Sequence, residues 1–278
     1  MHDHIEIIGN SLVQHGPNND RVYLMKLEVS DLPAIIDQMH DLTIFKGYTK
    51  IFAKIPEEVK EIFIDQGYRT EAVIPGFFNA SKSACFVSRF YGESRAYLSP
   101  EDKSIIEKNI DIALHKKNPP GLALDCGIDI RELGPESART LANLYKKIFR
   151  VYPFPIFDES FIENAMRRDT IFFGAIVDNR LIAASSAEAD LQGANAEMTD
   201  FATLPDFRGK NLSLFLLRKM EEAMKKRTIG TVFTIARSLS VGMNVTFARS
   251  GYHFAGTLVN NTLIGKKIES MNVWYKHL

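Results

Sequence analysis

Apolar and polar positions change their period along the chain, and the changes predict its elements. In the first half, strand-length apolar runs at Val22 to Val29, Thr49 to Ile55, Glu71 to Phe78 and Ala84 to Tyr91 alternate with helical patterns at Leu32 to Lys46 and Pro56 to Gln66. The second helix is well punctuated. Pro56 suits a first turn, Glu57, Glu58 and Glu61 complement the positive end of the dipole, and Gly67 stands where a C-terminal cap belongs. An amphipathic helix follows Ser99-Pro100 and ends at Lys116-Lys117, and Asn118-Pro119-Pro120-Gly121 reads as a turn-rich junction. The pattern predicts a domain boundary near residue 121, with one α/β domain over 1–121 and another over 122–278.

The second half opens with a strand near Ile128 to Glu132 and a helix from Glu136 to Phe149, whose Leu141, Leu144, Tyr145 and Ile148 recur at helical spacing. Tyr152-Pro153-Phe154-Pro155 forces an extended connection, because each proline restricts itself and the residue before it. It reads as packing or as a pocket wall. A helix at Asp158 to Arg168 and a meander of strands at Ile171 to Val177, Leu181 to Ala189 and Ala196 to Thr203 come next. A basic turn, a helix over Asn211 to Arg227, a strand at Thr231 to Arg237, a helix reaching Ser250 and a strand pair at Tyr252 to Val259 and Glu269 to Lys276 complete the chain.

The halves share an internal echo. Phe63-x-x-x-Gly67-Tyr68 and Phe247-x-x-x-Gly251-Tyr252 each close a helix that follows a strand, and the same order of elements surrounds both. Residues 21–91 are therefore expected to repeat the arrangement of residues 196–276.

Composition narrows the classes. The 278 residues are 45% hydrophobic and 24% charged, the profile of a globular protein with a large core, and basic and acidic side chains balance at 34 each. A neutral chain lacks the field that holds a polyanion, so nucleic acid, aminoacyl-tRNA included, is not an expected partner. The zero hides a split, for residues 1–125 carry 14 basic and 18 acidic side chains and the remainder carries 20 and 16. The second half suits an anionic ligand. Two cysteines, no basic-apolar leader and no apolar run near the roughly 18–20 residues of a membrane span predict a cytoplasmic protein outside any membrane. His2 and His4 at a frayed terminus predict no metal site.

The chemistry concentrates in Ala196-Glu197-Met198-Thr199-Asp200-Phe201-Ala202-Thr203 and the following Leu204-Pro205-Asp206-Phe207-Arg208-Gly209-Lys210-Asn211-Leu212-Ser213. A strand runs into a basic turn and then a helix. Unpaired N–H groups and the positive dipole end at that helix start make a phosphate site, to which Arg208 and Lys210 add charge, and a pyrophosphate suits it.

This strand, turn and helix, with Gly251-Tyr252, resemble the acetyl-CoA motif of the GNAT acetyltransferase superfamily, R/Q-x-x-G-x-G/A. Here the motif reads Arg208-Gly-Lys-Asn211-Leu-Ser213, with Asn and Ser at the two small positions. Asn is the non-glycine residue that best tolerates a left-handed backbone, so the loop is expected to keep its shape. The tandem layout, Lys50-Ile-Phe-Ala-Lys54, Phe63-x-x-x-Gly-Tyr-x-x-Glu71-Ala-x-Ile-Pro75-x-Phe-Phe78, Tyr152-Pro-Phe-Pro155 and Arg208-Gly-Lys-Asn-Leu further resemble the bacterial and archaeal β-lysine N-acetyltransferases.

The resemblance implies a GNAT fold, a mixed and mostly antiparallel sheet flanked by helices, preceded by a smaller, partial copy. It implies acetyl transfer from acetyl-CoA to the terminal amine of β-lysine, yielding the compatible solute N6-acetyl-β-lysine of osmoadaptation, without a metal. An alkyl ammonium with a pKa near 10.4 leaves only roughly one molecule in 10³ neutral at pH 7, so a base is required. Glu197, eleven residues before Arg208, holds the position of the general-base glutamate of some GNAT enzymes. The backbone N–H of Phe201 corresponds to the oxyanion donor, and Phe201, Ala202 and Thr203 would pair with the pantetheine arm.

Arg208, Gly209, Lys210, Asn211, Leu212 and Ser213 would hold the phosphates, with Asn244 and Phe247 as further cofactor contacts. Phe247 occupies the place of the family's acidic tyrosine and cannot donate a proton. For the amine substrate, Glu188, Asp190 and Asp200 are candidates for the second ammonium, and Arg150 or Tyr152 for the carboxylate. Strict alternation separates Glu197 from Asp200 unless a bulge intervenes, and such a bulge is expected in this family's strand. A second reading of Asn211, Ser213 and Phe247 is an acyl-CoA-binding regulatory module; a third is a GNAT enzyme acting on another small amine. A homodimer remains open.

Overall fold

The computed structural model describes residues 3–117 and 122–278. The first half runs through β1 (His4–Ile8), β2 (Ser11–Gly16), β3 (Arg21–Lys26), α1 (Ala34–Lys46), β4 (Lys50–Pro56), α2 (Lys60–Ile64), β5 (Arg69–Phe78), β6 (Lys82–Phe90), α3 (Glu93–Ala96) and α4 (Pro100–His115). The second runs through β7 (Asp129–Leu133), α5 (Ala138–Ile148), α6 (Glu159–Arg168), β8 (Thr170–Val177), β9 (Arg180–Asp190), β10 (Asn195–Thr203), α7 (Leu212–Lys226), β11 (Thr231–Arg237), α8 (Val241–Arg249), β12 (His253–Ile264) and β13 (Lys267–His277). The boundary read near residue 121, and His2, lie outside the described residues.

Two expectations change. A hairpin, β1–β2, precedes the first predicted strand, and His4 begins it instead of fraying. Pro56 ends β4 rather than opening a helix. A 3-10 turn at Glu57–Val59 follows, and α2 proper spans only five residues because Val59 (φ −104°, ψ 6°) leaves the helical region.

The strands form one sheet in the order β1-β2-β3-β4-β6-β5-β12-β13-β11-β10-β9-β8-β7. In that order the expected repeat becomes geometric. β3 pairs with β4 in parallel as β10 does with β11, and β6 lies antiparallel between β4 and β5 as β13 does between β11 and β12. The helix closures match in detail. Gly67 and Gly251 take φ of +80° and +84°, the N–H groups of Tyr68 and Tyr252 reach back to the carbonyls of Phe63 and Phe247 at 3.2 Å, and the paired rings meet edge-on at 5.2 and 5.1 Å. Helices α5 and α6 and strand β7 belong to the second half alone.

The halves meet where β5 and β12 pair at Ala72 and Gly256. Gly256 has φ +150°, and a Cβ there would lie 2.1 Å from the Glu71 carbonyl oxygen, so only glycine lets the strands approach. Beside it, buried Lys50 donates to Glu71 at 2.9 Å and to the Val259 carbonyl at 2.7 Å, while the other Glu71 oxygen accepts the Val259 N–H at 2.9 Å. An aromatic core spans the seam, with Phe77 and Phe86 of the first half at 5.0 and 6.1 Å from Phe233 of the second. Such pairs add about 0.5–1.5 kcal/mol each beyond the area they bury.

The C-terminal core forms by periodicity. Leu212, Leu216, Leu217, Met220 and Met224 put one face of α7 against the sheet, and each fully buried leucine contributes roughly 1.5–3 kcal/mol.

Candidate active site

β10 and β11 pair in parallel only through Glu197↔Phe233, and past that pair the strands part. On the other side of β10 the ladder with β9 slips between Thr199 and Ala202, where Asp200 takes φ +56°. This bulge undoes the alternation that separates Glu197 from Asp200. Both side chains line one cavity of about 490 Å³, together with Glu188, which stands opposite Glu197 across the β9–β10 ladder.

The three carboxylates share an environment that resists charge. Burial pushes the Glu197 carboxyl up to about 7, with the Lys54 cation opposing the rise and Asp200 adding to it. Burial, followed by the charges of Glu197 and Asp200, raises Glu188 well above the usual carboxylate range. Asp200 is raised by burial against the hydrogen bonds it accepts, one from the Ser186 hydroxyl at 2.5 Å and one from the Tyr152 hydroxyl. Through that second bond Asp200 anchors the Tyr152-Pro-Phe-Pro155 segment, and Tyr152, Pro153 and Phe154 line the cavity. Tyr152 thus spends its proton on a carboxylate of the chain rather than waiting for a ligand's.

The first half supplies part of the wall. Arg21, Tyr23, Met25 and Phe52 all line the cavity. Tyr23 pairs with Phe52 across β3 and β4 as Glu197 pairs with Phe233 across β10 and β11, so the repeat puts a tyrosine where the second half has its glutamate. The sequence indicated no such contribution, because these positions lie far from Glu197 along the chain, in the other half, and meet it only through the order of the sheet. The shared F-x-x-x-G-Y closure was the signal that could have led to them.

After β10, a 3-10 turn at Pro205–Phe207 leads through Arg208 to Gly209 (φ +82°) and Asn211 (φ 56°, ψ 24°) at the N-cap of α7. Asn211 adopts the left-handed conformation that its residue type permits. A Cβ on Gly209 would meet nothing within 4 Å, so the glycine is required by its backbone angle and not by crowding. The first helical bonds are those of the Leu214 and Phe215 N–H groups to the Asn211 carbonyl. The N–H groups of Leu212 and Ser213 consequently have no intrahelical acceptor, the arrangement that receives an anion. Arg208 is exposed, and Lys210 bridges to Asp125 at 2.7 Å. The Leu212 side chain is buried in the core, so this residue can offer a ligand only its backbone.

Two expectations for side chains do not match their positions. Asn244 is fully buried; its amide donates to the carbonyls of Arg237 and Ser240, and its oxygen accepts from Asn272 and Trp274, which leaves nothing for a cofactor. Asp190 lies outside the cavity lining, where it accepts the Gly193 N–H at 3.1 Å and sits 3.9 Å from Lys26. Strand β9 is simply too long for its last residue to reach the bulge. Phe247, fully buried, lines the cavity edge-on to Phe201 at 5.6 Å, and Arg150 lines it from an exposed position. No group of three or more metal-binding side chains occurs among the described residues.

A parting of parallel strands, a bulge and a left-handed turn into a helix define a cofactor-binding acetyltransferase scaffold, and the comparisons agree. The acetyltransferase (GNAT) family model matches residues 138–252, and the chain belongs to that family; it is an N-acetyltransferase. Family members take acetyl-CoA as co-substrate. The chain is 36% identical over 97% of its length to a beta-lysine N(6)-acetyltransferase of Methanococcus maripaludis, covering 97% of that protein. It is 35% identical to the N-acetyltransferase YodP of Bacillus subtilis, over 82% of this chain and 81% of that one. A beta-lysine N(6)-acetyltransferase of Methanosarcina mazei is 30% identical over 82% of this chain and 91% of its own. The regulatory-module reading gives way to an enzyme.

Proposed function

We propose that the chain transfers an acetyl group from acetyl-CoA to the terminal amine of β-lysine, making N6-acetyl-β-lysine as a compatible solute. The observation that carries this reading is the wall of buried Asp200 and half-buried Glu188 and Glu197, carboxylates whose raised proton affinity a cationic substrate would relieve. The two similar beta-lysine N(6)-acetyltransferases support the choice of amine.

Acetyl-CoA supplies the acetyl group as a thioester. Glu197 accepts the proton that the substrate ammonium must lose before its nitrogen can attack, and a carboxyl near 7 suits a base working at neutral pH. The Phe201 N–H, at the bulge where β10 leaves its register with β9, donates to the thioester oxygen as charge develops there. Ala202 and Thr203 continue the strand edge beside the pantetheine arm, and the α7 start with Arg208 and Lys210 holds the phosphates. Phe247 donates no proton, so the thiolate departs as such, which a thiol pKa near 8.5 permits, and the acetylated nitrogen sheds its second proton to water.

The test is thiol release from acetyl-CoA with β-lysine and mass analysis of the product. Acetylation of the distal amine is expected. No turnover of β-lysine alongside turnover of another small amine would replace the substrate and keep the chemistry.

A further inference from the structure

Three arginines line the cavity, and they differ in what they already hold. Arg237 is committed to Glu269 through two bonds of 2.9 and 3.1 Å, and Arg150 is exposed. Arg21, on β3 of the first half, is 5% exposed and has no carboxylate within ion-pair distance among the described residues. Its Nη1 donates to the Asn261 carbonyl at 2.5 Å and to the Thr262 hydroxyl at 3.3 Å, while its buried Nε has no partner among the described residues. The guanidinium lies over the rings of Tyr23 and Phe52, 5.2 and 5.6 Å from their centroids, which holds it in place. Asn261, also in the lining and 1% exposed, has a buried Oδ1 without a partner among the described residues.

A buried guanidinium without an anion is unfavourable, and an orphaned donor beside an orphaned acceptor is doubly so. Burial lowers the Arg21 pKa to about 10, and the charges of Tyr23, Asp3 and Glu197 offset that lowering only in part. Cavity position, absent partner and complementary orphan atoms identify the same ligand chemistry: a carboxylate with an ammonium close by.

We infer that Arg21 and Asn261 form the subsite for the amino-acid head of the substrate, Arg21 taking the carboxylate and Asn261 Oδ1 the neighbouring ammonium, while the reacting amine lies at Glu197. This rests on the reading of the substrate as a diamino acid. It gives the first half a task in the reaction, since its β3 brings the anion receptor to a cavity whose base comes from the second half. The subsite acts on selectivity: an amine that lacks the carboxylate leaves Arg21 uncompensated.

The experiment compares kcat/KM for β-lysine and for 1,4-diaminopentane, the same skeleton without its carboxylate, in the full-length wild type, Arg21→Gln, Arg21→Lys and Asn261→Ala. The ratio of the two substrates is read within one preparation, so partial misfolding does not alter it. Wild type is expected to favour β-lysine. Arg21→Gln should reduce that preference by roughly 10- to 100-fold, mainly through KM for β-lysine, as loss of a charge-assisted pair does. Arg21→Lys should fall between, because it keeps the charge and loses the fork. A preference unaffected by Arg21→Gln, or a wild type that does not distinguish the two amines, would overturn the subsite. The substrate reading fails separately, when lysine with its own decarboxylated partner, 1,5-diaminopentane, shows the Arg21-dependent preference and β-lysine is not turned over. Should no amine react, calorimetric binding of β-lysine decides; wild type binding and Arg21→Gln not binding is the supporting result, and equal heats overturn it.

Discussion

Glu197 and Glu188 face each other across the β9–β10 ladder, two carboxylates on one cavity wall where sheet geometry brings opposed side chains close. Like charges in that relation are costly, so at neutral pH the pair retains proton affinity instead of full charge. In the proposed mechanism, replacing Glu197 by Gln removes the acceptor for the substrate proton without changing shape. A fall in kcat of about 10²–10⁴ is expected, with KM for acetyl-CoA little altered, measured by thiol release. Full activity in Glu197→Gln would remove it from the mechanism.

The pH dependence follows from the same residue. As the proposed base, Glu197 would work only when deprotonated, so kcat/KM should fall as the pH drops through about 7. Lys54 favours the charged form of Glu197 from a position over the Phe77 and Phe233 rings, 5.5 and 5.3 Å from their centroids. Lys54→Met removes that cation, raises the affinity of Glu197 for its proton and should move the acid limb to higher pH. A limb that stays in place would mean that another group sets it.

The helices and strands around these residues were legible where a single periodicity dominates. Leu141, Leu144 and Tyr145 announce α5, and Phe201 and Arg208 frame the cofactor turn. The β1–β2 hairpin was not legible, because β1 exposes most of its residues and β2 buries Ser11, Gln14 and His15 with its apolar positions, so neither strand alternates. The bulge at Asp200 could be anticipated by resemblance alone, since nothing in Met198-Thr-Asp-Phe201 encodes it locally. Arg21 was invisible for another reason. Its significance is the absence of a carboxylate partner among the described residues, a property of the folded cavity and of no segment of sequence.

The cofactor turn makes its own prediction. Gly209 at φ +82° costs a side chain roughly 1–2 kcal/mol even though open space surrounds it, so Gly209→Ala should reshape the turn and raise KM for acetyl-CoA several-fold. Asn211→Gly should leave that KM the same or lower, because glycine occupies φ 56° freely. An increase in KM for Asn211→Gly would show that the asparagine side chain, rather than its backbone angle, serves the cofactor.

The seam between the halves depends on the buried Lys50 and Glu71 pair. Lys50→Met leaves Glu71 with the Ser88 hydroxyl at 2.6 Å, the Val259 N–H and the half-exposed Arg69 at 3.9 Å but without its buried, hydrogen-bonded cation, and removing one partner of a buried pair costs about 3–5 kcal/mol. Denaturant unfolding should detect that loss. A change below about 1 kcal/mol would mean that the hydrogen bonds alone hold the seam.

The repeat finally predicts how many cofactors bind. The connection from β3 to α1 corresponds to the one from β10 to α7, yet it reads Leu27-Glu-Val-Ser-Asp-Leu-Pro33, with two acids and no glycine where the other carries Arg208, Gly209 and Lys210. Asp31 there accepts the Asn10 N–H at 2.8 Å and the Ser11 hydroxyl at 2.7 Å, so a carboxylate of the chain already satisfies donors beside the start of α1. A phosphate brought to this turn would meet negative charge. Titration calorimetry with acetyl-CoA should therefore give one equivalent per chain, lost in Arg208→Glu, whereas two equivalents would show that the first half has kept a cofactor site despite its acidic turn.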